Sequence, residues 1–579
     1  MYTSFSFSFI KLYFLGPPMA CPIPPKRKTA AFKSNDPKKF KATIKTSVYP
    51  WDRSSLKSLE MDLQTFAKLD AYASKVEAKS NVEDLVKVLL QEARTELEKI
   101  RAIWIWICHN IGYEIVGSND KEVKSSDEDD ILKKKKEACE GYSGLLCQMC
   151  SVAGVQCLML SGHAKGHGYR IGQKYSGDSN HMWNAVYLAG KWHLLDSTWG
   201  AGNVNDNCTQ FMFDYNELYF LTHPALFVED HFPEDPDWQM LSKPLSITEF
   251  ENNIRHDKGF YNMGLLGSSP NTPVIKTVNG KSVITLDARA ATLFVFDLNG
   301  KETPGVLALR RFGMKLEVYP QATGSHTLQI FAKPWNSSKS IFSRALIHIL
   351  ECNSVDNTMK LPTDLHNPVG PSWLTEEKGF LQPSHPDPII PIQDGRCSIS
   401  FTVKGDMDTL ATLHTDVMPM NEDIRRRHIF KSQKGNRIVI QIQLPQAGYF
   451  VLKIFSKTKG GESKTFSYAL NYLLSCSNAA VKWPVFPRMY GSWLEGYELV
   501  EPTSGILPDN QNIHFKLKVP GVSKVFVKDK KSGSLTLSAD GYWEGNFNTA
   551  GSQDANVIIQ QVPDKNLYAT ILKYTVDDK

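Results

Sequence analysis

The 579-residue chain is short of several things that would mark a specialised class. It has ten cysteines, far too few for a disulfide-stapled secreted scaffold, so the thiols are expected to be free in a reducing, intracellular setting. No run of eighteen apolar residues occurs, which excludes an apolar helical membrane span. Neither sign of charge dominates: 66 Lys and Arg against 61 Asp and Glu leave a net charge of +5, too small an excess to point to nucleic acid. No P-loop, no G-x-G-x-x-G after a strand and no H-E-x-x-H is present, so no nucleotide, cofactor or metal is expected from motifs.

What is present is ordinary globular material, 42% apolar and 22% charged. At about 150 residues per domain the length suggests roughly four domains. The opening MYTSFSFSFIKLYFLGPP is apolar, but it lacks a basic start and Lys11 interrupts it, so a secretory signal is the weaker reading. Residues 17–42 are rich in Pro and Lys and read as a flexible arm, with PPKRK as part of a solvated tail. From Ser55 to about Tyr113 the apolar period is helical. Ser80 with Glu83 and Thr95 with Glu98 read as capping boxes, and Trp104 and Trp106 read as core. Residues 117–137 carry acidic residues and then Lys133–Lys136, an exposed loop whose lysines lie just upstream of Cys139.

Beyond about residue 260 the texture turns to short alternating runs broken by Gly, Pro and Asn, the pattern of strands. Residues 325–353 align without a gap to residues 449–477, a displacement of 124. Cys352 and Cys476 meet in that alignment at apolar positions and are expected in the core. The predicted organisation is an arm over 1–50, a helical lead-in and core over 51–258, and three β-sandwich modules over 259–358, 359–480 and 481–579.

The chemistry concentrates in ACEGYSGLLCQMCSVAGVQCLMLSG and NHMWNAVYLAGKWHLLDSTWG. Cys139 immediately precedes an apolar run that reads as a helix. A cysteine in a first helical turn faces unpaired backbone N–H groups and the positive end of the dipole, which favours the thiolate. His181 opens a strand-like run, and the next run carries Asp196 near its end. A hairpin through Ala189-Gly190-Lys191 would set the two side by side, with the carboxylate orienting the imidazole. Cys139, His181 and Asp196 then read as nucleophile, acid/base and orienter for acyl transfer through a thioester. Taken singly, each has a plainer reading as a core thiol, a structural histidine or a turn; their order along the chain favours the joint one. His193 is assigned to the face away from Asp196. Cys147-x-x-Cys150 is taken as core packing, and His163 and His167 as a glycine-rich loop at the cleft edge.

Ala138-Cys139-Glu140-Gly141-Tyr142, Asn180-His181-Met182-Trp183-Asn184 and Leu195-Asp196-Ser197-Thr198-Trp199 resemble the motifs of the transglutaminase-like superfamily. HFPEDPDWQML (231–241), SITEF (246–250) and the downstream β-modules resemble the kyphoscoliosis peptidase, or hillarin-like, group. The resemblance implies a papain-like α+β core with those three residues as a triad, followed by immunoglobulin-like modules. It also implies a cytoplasmic, cytoskeleton-associated protein with filamin-type partners, of muscle in the vertebrate members. Calcium-dependent transglutaminases place a β-domain before the core, and here there is only a short arm, so their calcium sites and crosslinking are not carried over. Two functions remain: a cysteine-dependent peptidase or acyl transferase on protein amides, or a scaffold whose triad does not turn over. A second oxyanion donor beside the Cys139 N–H is implied but not identified.

Overall fold

The computed structural model describes residues 40–52, 55–115, 128–205, 207–256, 258–300, 304–338, 341–418, 421–459, 465–477, 484–561 and 567–577. The expectation for the arm therefore lies almost wholly outside the described residues, as does most of the acidic loop. Among the described residues no helix is long and apolar enough to cross a membrane.

The core begins with helices α1 (Val82–Leu89) and α2 (Glu96–Asn110). The α2 start is a true capping box: the Thr95 hydroxyl accepts from Glu98 N, and the Glu98 carboxylate accepts from Thr95 N. At α1 the cap falls one residue later than Ser80. Asn81 accepts from Asp84 N at 2.8 Å, while Asp129 takes the Val82 N–H. Every α2 residue from Ile100 to Cys108 is buried, Trp104 and Trp106 included, so the helix runs through the middle of the core. Its one buried charge, Arg101, sits over the Phe66 and Phe220 rings and forks to both Asp70 and Glu217 at 2.7–2.8 Å.

A two-stranded parallel pair, β1 (Gly112–Tyr113) and β2 (Lys136–Glu137), leads directly into α3 (Cys139–Ala153). An antiparallel sheet follows, in the order β5-β4-β3-β6, formed by β3 (Cys157–Ala164), β4 (His181–Leu188), β5 (Lys191–Leu195) and β6 (His231–Pro233). β4 and β5 join through Ala189 and Gly190, both at positive φ (50° and 79°), the geometry of a tight two-residue hairpin. His163 departs from its loop assignment: it lies on β3, paired with Phe232, because the ladder to β6 carries that strand to Ala164.

After the core come three two-sheet sandwiches with separate apolar cores. The repeated segments form equivalent hairpins, Gly324–Pro334 with Ser343–Cys352 and Gly448–Thr458 with Ser467–Cys476. Both carry the same register shift, after Ile330 and after Ile454. Cys352 and Cys476 are buried, as expected. In each sandwich an early strand runs parallel to the last one: Val274–Lys276 on Ser343–Cys352, Ile389–Ile392 on Ser467–Cys476, and Ile506–Pro508 on Tyr568–Asp577.

Among the described residues eight cysteines are free and Cys208 is disulfide-bonded, which corrects the expectation of free thiols throughout. Cys208 stands at a partly exposed turn with φ 53°, outside the packed core where the other thiols concentrate.

Candidate active site

α3 is built so that its first turn stays open. Its N-cap, Ala138, makes no side-chain hydrogen bond to the helix amides, so the first turn has no N-cap side-chain acceptor. The Ala138 N–H is taken by the buried carboxylate of Glu137 at 3.0 Å. That carboxylate explains Gly141, since a Cβ there would lie 1.8 Å from Glu137 Cγ. Cys139 is partly exposed, and the Ser143 hydroxyl bonds its carbonyl at 2.6 Å.

The hairpin brings the second and third predicted residues together. His181 Nε2 lies 2.7 Å from Asp196 Oδ2, and both side chains are buried. With Nε2 engaged, Nδ1 is the nitrogen left to face Cys139, one of the groups that raise the His181 pKa. Burial opposes charging the His181 ring, but the Asp196 carboxylate and the Cys139 contact outweigh it and raise its pKa to about 10. Burial likewise opposes the Asp196 charge, yet His181 and His231 hold the carboxyl well below the usual carboxylate range. Asp196 Oδ1 accepts the Thr198 and Trp199 N–H groups, capping α4 (Ser197–Ala201) and fixing the carboxylate plane.

Three further residues, His231, Asp230 and Tyr219, complete this arrangement and lie outside the predicted set. His231 on β6 places Nε2 3.0 Å from Asp196 Oδ2 and Nδ1 2.7 Å from Asp230 Oδ1. Tyr219 donates to the other Asp230 oxygen at 2.7 Å. The His231 ring is boxed by Phe227 at 4.1 Å and Trp199 at 4.4 Å, and Trp199 also stacks on His181 at 5.1 Å. His231, His181 and Asp196 could between them present three ligand atoms to a metal ion. Each of those atoms is already within hydrogen-bonding distance of another member of the set, so the arrangement reads as a hydrogen-bonded chain. The signal for His231 was present in HFPEDPDW, but nothing local in the sequence links residue 231 to residue 196.

Tyr113 also reaches the site. β1 pairs Tyr113 with Glu137, two residues before Cys139. Burial first, and then the charges of Cys139, Asp196 and Glu137, push its phenol pKa upward.

The remaining candidates stand apart. His193 bonds Ser58 Oγ at 2.7 Å and Tyr49 Oη at 3.1 Å, and burial pushes it down to about 4. It belongs to the packing of the lead-in. His163 lies against Tyr175, 5.2 Å between ring centres, and burial lowers its pKa. Lys133–Lys136 are exposed, and Lys133 pairs with Asp130 at 3.3 Å.

Residues 83–197, which hold all three predicted site residues, match the model of the transglutaminase-like superfamily. Residues 247–363 and 377–487 match that of the KY-like, immunoglobulin-like domain. The chain is 52% identical over 531 residues to kyphoscoliosis peptidase of Mus musculus, covering 92% of this chain and 80% of the relative. The chain belongs to the kyphoscoliosis peptidase family. The Homo sapiens kyphoscoliosis peptidase is likewise 52% identical, over 91% of this chain and 79% of the relative. Hillarin of Drosophila melanogaster is 25% identical over 65% of this chain and 50% of its own length. The architecture typical of the kyphoscoliosis peptidase family, a transglutaminase-like core followed by immunoglobulin-like modules, is thus the architecture of this chain.

Proposed function

We propose that this member of the kyphoscoliosis peptidase family is a cysteine-dependent enzyme acting on protein amides, with Cys139 as nucleophile, His181 as acid/base and Asp196 as orienter. The observation that carries the reading is the buried His181–Asp196 pair set against a cysteine at an uncapped helix start. In the first step the Cys139 sulfur attacks the amide carbon, forming a C–S bond and moving the C=O electrons onto oxygen. The α3 backbone N–H groups are positioned to receive that oxyanion. Tyr113, on the strand beside Glu137, is the side chain we assign as the second donor. His181 then gives its proton to the departing amine, leaving a thioester. Water or an amine attacks next, with His181 taking the proton, and the sulfur is released. Acceptance of water gives a peptidase; acceptance of an amine gives a transferase.

The β-modules supply partner-binding surface, and cytoskeletal partners of filamin type follow from the family resemblance. The test uses the full chain with a thiol-directed activity probe and mass spectrometry of cytoskeletal proteins incubated with it. Wild-type labelling lost in Cys139→Ala, together with cleaved, deamidated or crosslinked products that also vanish, supports the enzyme. Equal labelling of both proteins with partner binding intact supports the scaffold instead.

A further inference from the structure

Behind the first turn of α3 lies a group of thiols that the proposed reaction does not use. Cys147 and Cys150 share one face of α3. The chain reverses at Gly154 (φ 75°), and β3 begins at Cys157 against that same face. Cys147 Sγ lies 3.1 Å from Cys157 Sγ, about 1 Å beyond the disulfide bond length of roughly 2.05 Å. The partner of Cys147 is thus Cys157, not the Cys150 of its own C-x-x-C motif. The buried Asn184 amide faces both sulfurs, at 3.3 Å from Cys147 and 3.6 Å from Cys157. It also donates to the Ser143 carbonyl at 3.0 Å. Cys147 is partly exposed and Cys157 buried, and burial pushes the Cys157 thiol well up.

We propose that Cys147 and Cys157 are a reversible oxidation site that takes hydrogen peroxide and closes to a disulfide. The Cys147 sulfur, on the less buried residue of the two, attacks a peroxide oxygen as thiolate. The O–O bond breaks, Cys147 becomes a sulfenic acid, and the second oxygen leaves as water after taking up a proton. The Cys157 sulfur then attacks the sulfenic sulfur. An S–S bond forms, the S–O bond breaks, and the hydroxyl leaves with the Cys157 proton as a second water. Two thiols lose two electrons in all, and one peroxide is reduced to two waters. The short separation of the two sulfurs favours closure over further oxidation. The site does not depend on Cys139 acting as a nucleophile.

Wild-type chain and Cys139→Ala are treated with hydrogen peroxide, and the remaining thiols are blocked with N-ethylmaleimide. Cleavage after methionine with cyanogen bromide follows, because Met149 separates Cys147 from the fragment holding Cys150 and Cys157. Under non-reducing conditions the fragment ending at Met149 is expected to stay joined to the next one. Tandem mass spectra should place the bond at Cys157 in both proteins, and dithiothreitol should reverse it. The link should survive in Cys150→Ser and vanish in Cys157→Ser. A bond from Cys147 to Cys150, overoxidation of Cys147 without linkage, or Cys147 and Cys157 both remaining blockable would each overturn the proposal.

Discussion

Asp196 spends both carboxylate oxygens: one on two backbone amides, the other on two imidazoles. Removing His181 therefore leaves the buried carboxylate with one imidazole instead of two. His181→Gln is expected to destabilise the core by about 3–5 kcal/mol, read as the shift of its denaturant transition. The pH dependence has a definite sign. His181 is raised from 6.5 to about 10 in the folded chain. Its contribution is fully present below about pH 6.5 and is lost as pH rises through about 10. Asp196 is depressed, so its contribution is present above the ordinary carboxylate range and is lost on acidification. The stability gap between wild type and His181→Gln should thus be widest in mildly acidic to neutral solution and close toward both extremes. At the same scale, Tyr113→Phe removes the proposed oxyanion donor and is expected to slow Cys139 acylation by about 10²-fold, measured with an activated ester under single-turnover conditions. An unchanged rate would remove Tyr113 from the mechanism. Cys139, His181 and Asp196 were legible in the sequence because each sits at a local signal: a helix start, a strand start and a strand end. Tyr113, His231 and Asp230 were not, since they reach the site only through strand pairings that join distant segments.

Among the elements, β6 carries a second imidazole that reaches Asp196. His231 bridges the Asp230 and Asp196 carboxylates through its two ring nitrogens. His231 thereby fixes the Asp196 oxygen that His181 also uses, as a positioning residue. Asp230→Asn keeps the shape of that contact and removes its charge. It is expected to alter the pH profile of Cys139 alkylation while leaving the core's melting temperature within a few degrees. Replacing His231 by Phe should do both damage and destabilisation, because two buried carboxylates lose their partner. An alkylation profile identical to wild type in Asp230→Asn would limit His231 to a structural role. Element types were largely readable from the 3.6-residue and two-residue periods. The α1 cap was misplaced by one residue because Asn81 competes for the role with Ser80, and only the entry geometry decides between them. His163 was placed in a loop because the glycines after it hide the ladder to β6.

Across the whole molecule, the modules are joined by packing as well as by chain. Val306 and Tyr319 of the first sandwich cluster with Val369 and with Leu473 of the second. Phe430 of the second enters the core of the third. Arg427 spans that latter junction, donating to the Phe486 carbonyl at 3.1 Å and the Gly505 carbonyl at 2.9 Å. Arg427→Ala is expected to weaken the junction by about 1.5–3 kcal/mol, seen in calorimetry as separation of the C-terminal transition from its neighbour. A thermogram unchanged from wild type would show that the junction does not depend on the Arg427 side chain. The 124-residue repeat made two of the sandwiches visible beforehand. The junction contacts left no such mark, for a buried phenylalanine inside one module looks the same in sequence as one shared by two.

The parallel ladders between early and final strands give the modules a mechanical character. When the chain is drawn taut from its ends, the two strands of each ladder are dragged past one another along their own axes. The bonds joining them bear the load side by side and must yield together, whereas a hairpin opened from its tip would unzip one rung at a time. Three such clamps in series make the C-terminal half of the molecule suited to transmitting tension alongside the transglutaminase-like core.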